Sequence, residues 1–423
     1  MKHDTYTGWG RVLKATGDIA RPERASAPRP AAPAIGNLRA YGDAALNEGG
    51  AVVNMTRMDR LLSFDAETGI LTAEAGVTIA EILRIFGPKG WMPAVMPGTA
   101  YATLGGAIAA DVHGKNHETA GSFGAHVLEI QLRGADGTIQ PVTPEMPAFK
   151  ATLGGMGLTG AIEVATIQLA PCPATVMDVK ETRAPNLAAF LAAFEGLDAP
   201  YSVGWIDGTA KGDALGRGIL ETATFALRDN PFDPKVSKPK SIPFDAPGIA
   251  LSAPVVRAFN SYYYHRVPKI GRKRNRNIRQ FFFPLDHISN WNKLYGKRGF
   301  HQFQCVLPHR TAAMTLDTML RDISKAGLAS PLAVLKRLGP GRAGLMSFPM
   351  EGYTLAVDLP NRAGVDALLK RLVAQTVEAE GRVYLAKDSA AEAADIEKMY
   401  PELPAFREAI HQADPEGVFE TDL

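Results

Sequence analysis

Short alternating runs dominate the first 170 residues. AVVNM (51–55), ILTAEAG (70–76), HVLEIQLRGADGTI (126–139) and GAIEVATIQLA (160–170) carry apolar residues at strand spacing, and GADG between two alternating halves predicts a hairpin. DAETG (65–69) reads as a second such turn, joining the first pair of runs. TIAEILRIFGPKG (78–90) breaks the pattern. Its Ile79, Ile82, Leu83 and Phe86 share one side of a helix, and glycine stands near its end. RPERASAPRPAAP (21–33) is an extended Pro/Ala-rich connector. Together these features predict an α+β unit of many short strands.

After APCPAT (170–175) the apolar period lengthens. NLAAFLAAFEGL, TAAMTLDTMLRDISKAG and VDALLKRLVAQTVEAEG (365–381) predict helices, while YSVGWIDG, TATFALRD, PLAVLKRLG and YTLAVDLP predict strands. That alternation fits a sheet covered by helices on one face. RVYLAKDS and FREAIHQADPEGVF close the chain in a different style. The predicted organisation is a first domain over 1–175, a second over 176–381, and a segment 382–423 that returns to complete the first.

Length and composition narrow the functional classes. A chain of 423 residues exceeds one ordinary core, and a formal net charge of +2 argues against a general nucleic-acid binder. The two cysteines, Cys172 and Cys305, lie far apart in no metal-like spacing. A disulfide framework, a structural zinc and any other metal site are therefore not expected, and a reducing compartment is. The N-terminus MKHDTYTGWGR lacks the apolar stretch of a signal peptide, and no run approaches the ~18 apolar residues of a spanning helix. The expected location is the cytoplasm.

One segment, 232–280, is rich in Pro, Lys and Arg. Between Arg266 and Arg279 it holds seven basic residues and no acid. It reads either as a solvated loop or as a basic, aromatic-flanked flap that meets phosphate or an anionic membrane surface. Nucleic acid lacks an accompanying motif.

Glycine placement carries the chemistry. Residues 97–124, PGTAYATLGGAIAADVHGKNHETAGSFG, hold six glycines and two histidines. GGMGLTG contains a GxGxxG at Gly155, Gly157 and Gly160, but runs into a strand rather than a helix, and no acid follows at the required distance. GKNHE (114–118) is not a Walker loop. What remains are glycine-rich turns between strands, whose successive amides form anion-binding nests suited to a pyrophosphate.

These residues resemble the FAD-binding (PCMH-type) fold of the vanillyl-alcohol oxidase superfamily and, within it, the family of flavoenzymes that oxidise decaprenylphosphoryl-β-D-ribose at its 2′-hydroxyl. TGWGR, RAYGD, HGKNH, AGSFG and GLTG carry the resemblance in the first domain. YSVGWID, PLD with WNKLYG, QFQCVLP, LKRLGP and VDLP carry it in the second, and YLAKDS and MYP in the closing segment. The resemblance implies a two-domain fold with an antiparallel-sheet substrate domain.

It also assigns residues. Gly36, Asn37, Leu38, Arg39, Ala40, Tyr41 and Gly42, with Gly98, Thr103, Leu104, Gly105 and Gly106, would hold FAD. Ala110, Asp111, Val112, His113 and Gly114 would approach the flavin, Ile162 the adenine side, and Tyr384 the isoalloxazine. GNLRAYGD has no histidine to tether FAD, so the cofactor is expected to be non-covalent, and Ala40 replaces a serine usual at this turn. Lys387 would contact the reacting hydroxyl. Gln304, Lys336, Lys115 and Tyr41 would bind the sugar and its phosphate, with Trp205 as a wall. Of Gln302 and Gln304, which alternate along a strand, one is expected to face away. Read alone, Lys387 is a surface charge and Trp205 a core residue; His113 reads as a structural histidine or, with glycine beside it, as ligand-facing, and His117 is taken to be structural. Lys387, His113 and water all remain open as proton acceptor. Thr354 and Ala356 stand where mycobacterial members carry Asn and Cys.

The implied function is FAD-dependent oxidation of a secondary hydroxyl of a polyprenyl-phosphate-linked pentose, the first half of an epimerisation that a separate NAD(P)H-dependent reductase completes. A soluble sugar or alditol oxidase of the same fold, and a flavin-binding subunit without turnover, are the alternatives.

Overall fold

The computed structural model describes residues 1–226 and 240–423. The end of TATFALRD (227–229) and the part of the basic segment over 232–239 lie outside the described residues.

Three sheets follow one another along the chain. The first has order β1-β2-β4-β3, from β1 (Lys2–Thr7), β2 (Lys14–Ala20), β3 (Ala34–Ile35) and β4 (Ala51–Asn54). The second has order β5-β6-β10-β8-β9, from β5 (Leu61–Phe64), β6 (Ile70–Glu74), β8 (Val127–Arg133), β9 (Ile139–Val142) and β10 (Ala161–Pro171), with β7 (Trp91–Pro93) also on β10. The turn DAETG joins β6 to β5 rather than to AVVNM. LLSF is so short and exposed that its strand character escaped the alternation test. GADG closes the expected β8–β9 hairpin, with Gly137 at φ 81°.

The third sheet is antiparallel throughout, with order β15-β11-β13-β12-β18-β19-β17-β20. Its strands are β11 (Val176–Ala184), β12 (Tyr201–Ile206), β13 (Gly218–Phe225), β15 (Arg272–Asn277), β17 (Phe300–Leu307), β18 (Ala333–Leu338), β19 (Gly352–Pro360) and β20 (Arg382–Val383). A short parallel pair, β14 (Lys240–Ser241) and β16 (Ile288–Ser289), stands apart.

Eleven α-helices are assigned among the described residues. The cofactor half carries α1 (Ile79–Phe86), α2 (Leu104–Ala109), α3 (His117–Ala120) and α4 (Pro147–Thr152). The rest are α5 (Leu187–Glu195), α6 (Ala253–His265), α7 (Ile278–Phe282), α8 (His309–Ala326), α9 (Val365–Glu378), α10 (Ala393–Met399) and α11 (Leu403–Ala413). Local chemistry starts and stops them: Thr78 and Asn186 accept the amides of Glu81 and Ala189 at the starts of α1 and α5, and Gly327 at φ 67° ends α8.

Strand parity decides the layout. Phe303, Cys305, Leu335, Leu355 and Val357 point to one face of the large sheet, where α5, α8 and α9 close a continuous core with buried Phe190, Leu316, Leu320 and Leu372. The opposite face therefore looks toward the cofactor half. Part of the junction between the halves is apolar: Phe281, Phe282 and Phe283 are at most 1% exposed and pack, with Tyr201, into the core of the second sheet. The closing segment is shared rather than belonging to the first domain alone. Its β20 adds to the large sheet, α10 lies on α9, and α11 lies on α4.

Among the described residues of the basic segment, the stretch 266–279 expected as a flap is folded onto the large sheet. Residues 272–277 form edge strand β15, and α6 precedes it. Glu181, with its side chain fully buried, pairs with Arg266, Arg272 and Arg276, and Glu221 pairs with Arg276. Charge that looked solvated along the chain is folded into an ion-pair network.

Candidate active site

The first glycine turn, Gly36–Gly42, follows β3. Among the described residues, the amides of Asn37, Leu38, Arg39 and Ala40 donate to no protein acceptor, and Leu38 takes φ 50°. Four successive free amides in a curved turn are a nest for an anion. The turn is braced on three sides. Asn37 Nδ2 donates to the Tyr101 carbonyl at 3.0 Å, Trp9 N donates to Ala40 O at 2.7 Å, and Tyr41 N donates to Ala386 O at 3.0 Å. A Cβ on Gly42 would overlap the carbonyl of Asp388, so glycine lets the turn touch the closing segment. Arg39 lies over the Trp9 and Tyr101 rings at 4.1 and 5.2 Å, with a buried Nε that meets no partner.

The second glycine segment lies against the first, since a Cβ on Gly36 would strike Thr103 Oγ1. Thr103 caps α2 by accepting the amide of Gly106 at 3.2 Å. Leu104 and Gly105 donate to Val77 O and Ala75 O. Their amides are thus spent inside the protein, and Gly105 makes room for Ala75. Around Gly98 there is open space. Asp286, from the PLD motif of the other half, accepts Ala100 N at 2.7 Å and Thr99 Oγ1 at 2.9 Å and so holds this loop.

Asp111 is fully buried at φ 37°. One carboxylate oxygen accepts Gly124 N at 2.7 Å and the other accepts Ser347 Oγ, so it clasps the two halves. Val112 is held by backbone bonds to Ala107 and Phe123, and Gly114 lies against Met96 and Asn116. Ile162 is a core residue of the second sheet, 5% exposed. Tyr384 donates its hydroxyl to Ala110 O at 2.9 Å and stacks on Phe348, with ring centres 4.7 Å apart.

His113, 7% exposed, stands beside that pair, 5.3 Å from Phe348 and 5.5 Å from Tyr384 between ring centres. Gln304 Nε2 donates to His113 Nε2 at 3.0 Å and to Thr354 Oγ1 at 3.2 Å. Burial, with Lys336, His117 and Lys387 nearby, pushes His113 well below the ordinary imidazole range. The ring is neutral, with its proton on Nδ1. His117 Nδ1 accepts Gly339 N at 3.1 Å.

The side of the large sheet opposite its helices supplies the rest. Gln304 pairs with Ala356, Thr354 with Lys336, and Trp205 with Val334, which sets Trp205, Lys336 and Gln304 on one wall. Gln302 shares that wall, correcting the expectation that one glutamine faces away, because residues two apart on a strand share a face. Gln302 Nε2 donates to Asp358 Oδ1 at 2.5 Å, and Tyr295 donates to Asp358 Oδ2 at 3.1 Å. QFQCVLP, VDLP and WNKLYG contain Gln302, Asp358 and Tyr295, but only the parity of QFQ signals a place on the wall, that of Gln302.

Lys387 Nζ lies 3.8 Å from the Tyr41 ring centre. Burial lowers Lys387 to about 7; Asp358 opposes the shift and Lys336 adds to it. Burial lowers Lys336 to about 8 and pushes Asp358 up to about 7. Lys115 stands farther round the wall. Its Nζ donates to the Phe281 carbonyl over that ring, and burial lowers it to about 7 against the pull of Glu221. Trp205 donates Nε1 to Pro331 O at 2.8 Å and packs on Tyr263. No cluster with metal-ligand character occurs among the described residues.

A nest of free amides, a second glycine loop braced on it, and a polar wall facing the junction fit an FAD-dependent oxidoreductase, the class that the relatives of this chain define. The FAD binding domain family matches residues 30–143, which span both glycine turns and His113. The chain is 36% identical over 402 residues to decaprenylphosphoryl-β-D-ribose oxidase of Mycolicibacterium smegmatis, covering 91% of this chain and 86% of that one, and it belongs to that family. It is also 34% identical over 362 residues to an uncharacterised protein from the mprA 5′ region of Streptomyces coelicolor, covering 82% of this chain and 98% of the other. Similarity to mouse L-gulonolactone oxidase, 27% over 141 residues, covers only 32% of this chain and 31% of that enzyme.

Proposed function

We propose that this chain oxidises the 2′-hydroxyl of a polyprenyl-phosphate-linked pentose to a ketone. The observation that carries the proposal is that two half-buried amines, Lys387 over the Tyr41 ring and Lys336 on the wall opposite Thr354, make no carboxylate salt bridge among the described residues. Two amines held this way suit a phosphodiester and a hydroxyl that must lose its proton. The substrate class follows the name of the Mycolicibacterium relative.

The free amides of Asn37–Ala40, Gly98 and Arg39 would hold FAD, and Tyr384 and His113 would line the flavin. When bound, FAD supplies the hydride acceptor. Lys387 Nζ, with no hydrogen-bond partner among the described residues and an affinity matched to neutral pH, takes the hydroxyl proton and becomes the cation beside the nascent carbonyl oxygen. His113 is a poor base because Gln304 occupies Nε2 and burial disfavours its charge. Its role is to hold Gln304, which orients the sugar with Thr354. Lys336 and Lys115 take the phosphate, and Trp205 bounds the pentose. The product ketone is then a substrate for a separate NAD(P)H-dependent reductase, which restores the hydroxyl with the opposite configuration.

The test is product analysis after incubation with polyprenyl-phosphoryl ribose and an artificial electron acceptor. Loss of two hydrogens from the pentose, trapped as a carbonyl adduct, supports the proposal. An unchanged pentose with turnover of free alditols moves the activity to the soluble-oxidase alternative.

A further inference from the structure

From residue 246 to 285 the chain has no Asp or Glu and eight Lys or Arg. The same stretch concentrates exposed apolar surface. Six of the fifteen exposed large hydrophobic residues among those described lie within 244–270. On α6 they form one stripe, Val255 and Phe259 at 46% and Tyr262 at 74% exposure, at i, i+4 and i+7. The opposite stripe, Val256, Asn260 and Tyr264, is buried. Ile249 precedes the helix at 73% exposure and Ile270 follows it at 97%.

An exposed apolar stripe of this kind marks an interaction surface. Charge identifies the occupant. The buried glutamates engage Arg266, Arg272 and Arg276, but Arg257, Lys269 and Lys273 are exposed and make no salt bridge among the described residues. Apolar side chains rimmed by free cations match the headgroup and acyl boundary of an anionic bilayer. A second copy would bring like charges together and is disfavoured.

We infer that α6, with Ile249 and Ile270, docks this enzyme on an anionic membrane surface. The contact continues inward, since Phe259 stacks on Tyr263 at 6.0 Å and Tyr263 packs on Trp205 at 4.7 Å between ring centres. The surface therefore opens directly behind the wall of the proposed pentose site, and its use for a lipid-linked substrate rests on the function proposed above.

The test is flotation of the FAD-loaded enzyme with phosphatidylcholine vesicles, with and without phosphatidylglycerol. The wild type should float with the anionic vesicles only, and added salt should weaken the association. Phe259→Ser/Tyr262→Ser and Lys269→Glu/Lys273→Glu should each weaken it about tenfold or more while keeping flavin absorbance and melting temperature. No flotation of the wild type, or unchanged flotation of both variants, overturns the inference. So does a drop in solution mass in the first variant, which would assign the stripe to a second copy. The vesicles contain no sugar lipid, so the outcome is separate from substrate oxidation. An enzyme that floats but leaves the pentose intact keeps the docking surface and loses the substrate; one that oxidises it without floating loses the docking surface alone.

Discussion

Lys387 Nζ rests 3.8 Å from the centre of the Tyr41 ring, and the two residues are also joined through the backbone, because Tyr41 N donates to the carbonyl of Ala386. The pyrophosphate turn and the proposed base are thus one rigid unit. The ring face favours the ammonium by about 1–2 kcal/mol while shielding it from water, and burial does the opposite. Replacing the amine by a group of similar length, Lys387→Met, should lower kcat roughly a thousandfold with FAD still bound. Single-turnover flavin reduction measures this directly.

The pH dependence has a definite sign. Lys387 sits at about 7, and a base works only when unprotonated. The rate of flavin reduction should fall roughly tenfold per unit below pH 7 and level off above it. A rate that rises on acidification would assign another group.

Asp358 tunes that limb. Its field raises Lys387, so Asp358→Asn should move the acidic limb to lower pH. A variant that merely loosened the site would lower the plateau and leave the limb in place. The pH profile of flavin reduction separates these outcomes.

Much of this site was legible because chemistry-bearing residues stood in specific short motifs. HGKNH and AKDS marked His113 and Lys387, and the apolar period found the helices that cover the large sheet. What escaped depended on partners distant in the chain. Leu61–Phe64 is a strand only because β6 pairs with it. Arg272–Asn277, with no apolar residue, is a strand only because β11 lends it an edge and Glu181 its counter-charge. α2 lay hidden among glycines that read as a loop, though Gly105 is required by Ala75. The partners of Asp111, Gly124 N and Ser347 Oγ, lie 13 and 236 residues away, so its clasp of the two halves is invisible in the chain.

Glu181 gives the ion-pair network its own signature. Burial alone would raise this carboxyl, but Arg272, Arg266 and Arg276 outweigh it and hold it at about 2, below its ordinary 4.5. The stabilisation is present above about 4.5 and is lost as pH falls toward 2. Glu181→Gln removes the buried partner of Arg272, while Arg266 and Arg276 keep Glu221, and should cost about 3 kcal/mol, read by urea denaturation at pH 7. A loss below about 1 kcal/mol would show a screened surface cluster instead.

Non-covalent FAD is expected because the first turn, Gly36–Gly42, has no histidine to tether the ring. Acid precipitation should leave all flavin in the supernatant. Yellow colour retained in the pellet would contradict this.

The most direct test of the central claim is anaerobic absorbance of the FAD-loaded enzyme mixed with short-chain polyprenyl-phosphoryl ribose. Loss of the flavin band near about 450 nm is the predicted result, since it records hydride leaving a lipid-linked pentose. A spectrum that stays oxidised with this substrate, yet bleaches with free sugars or alditols, would contradict the account.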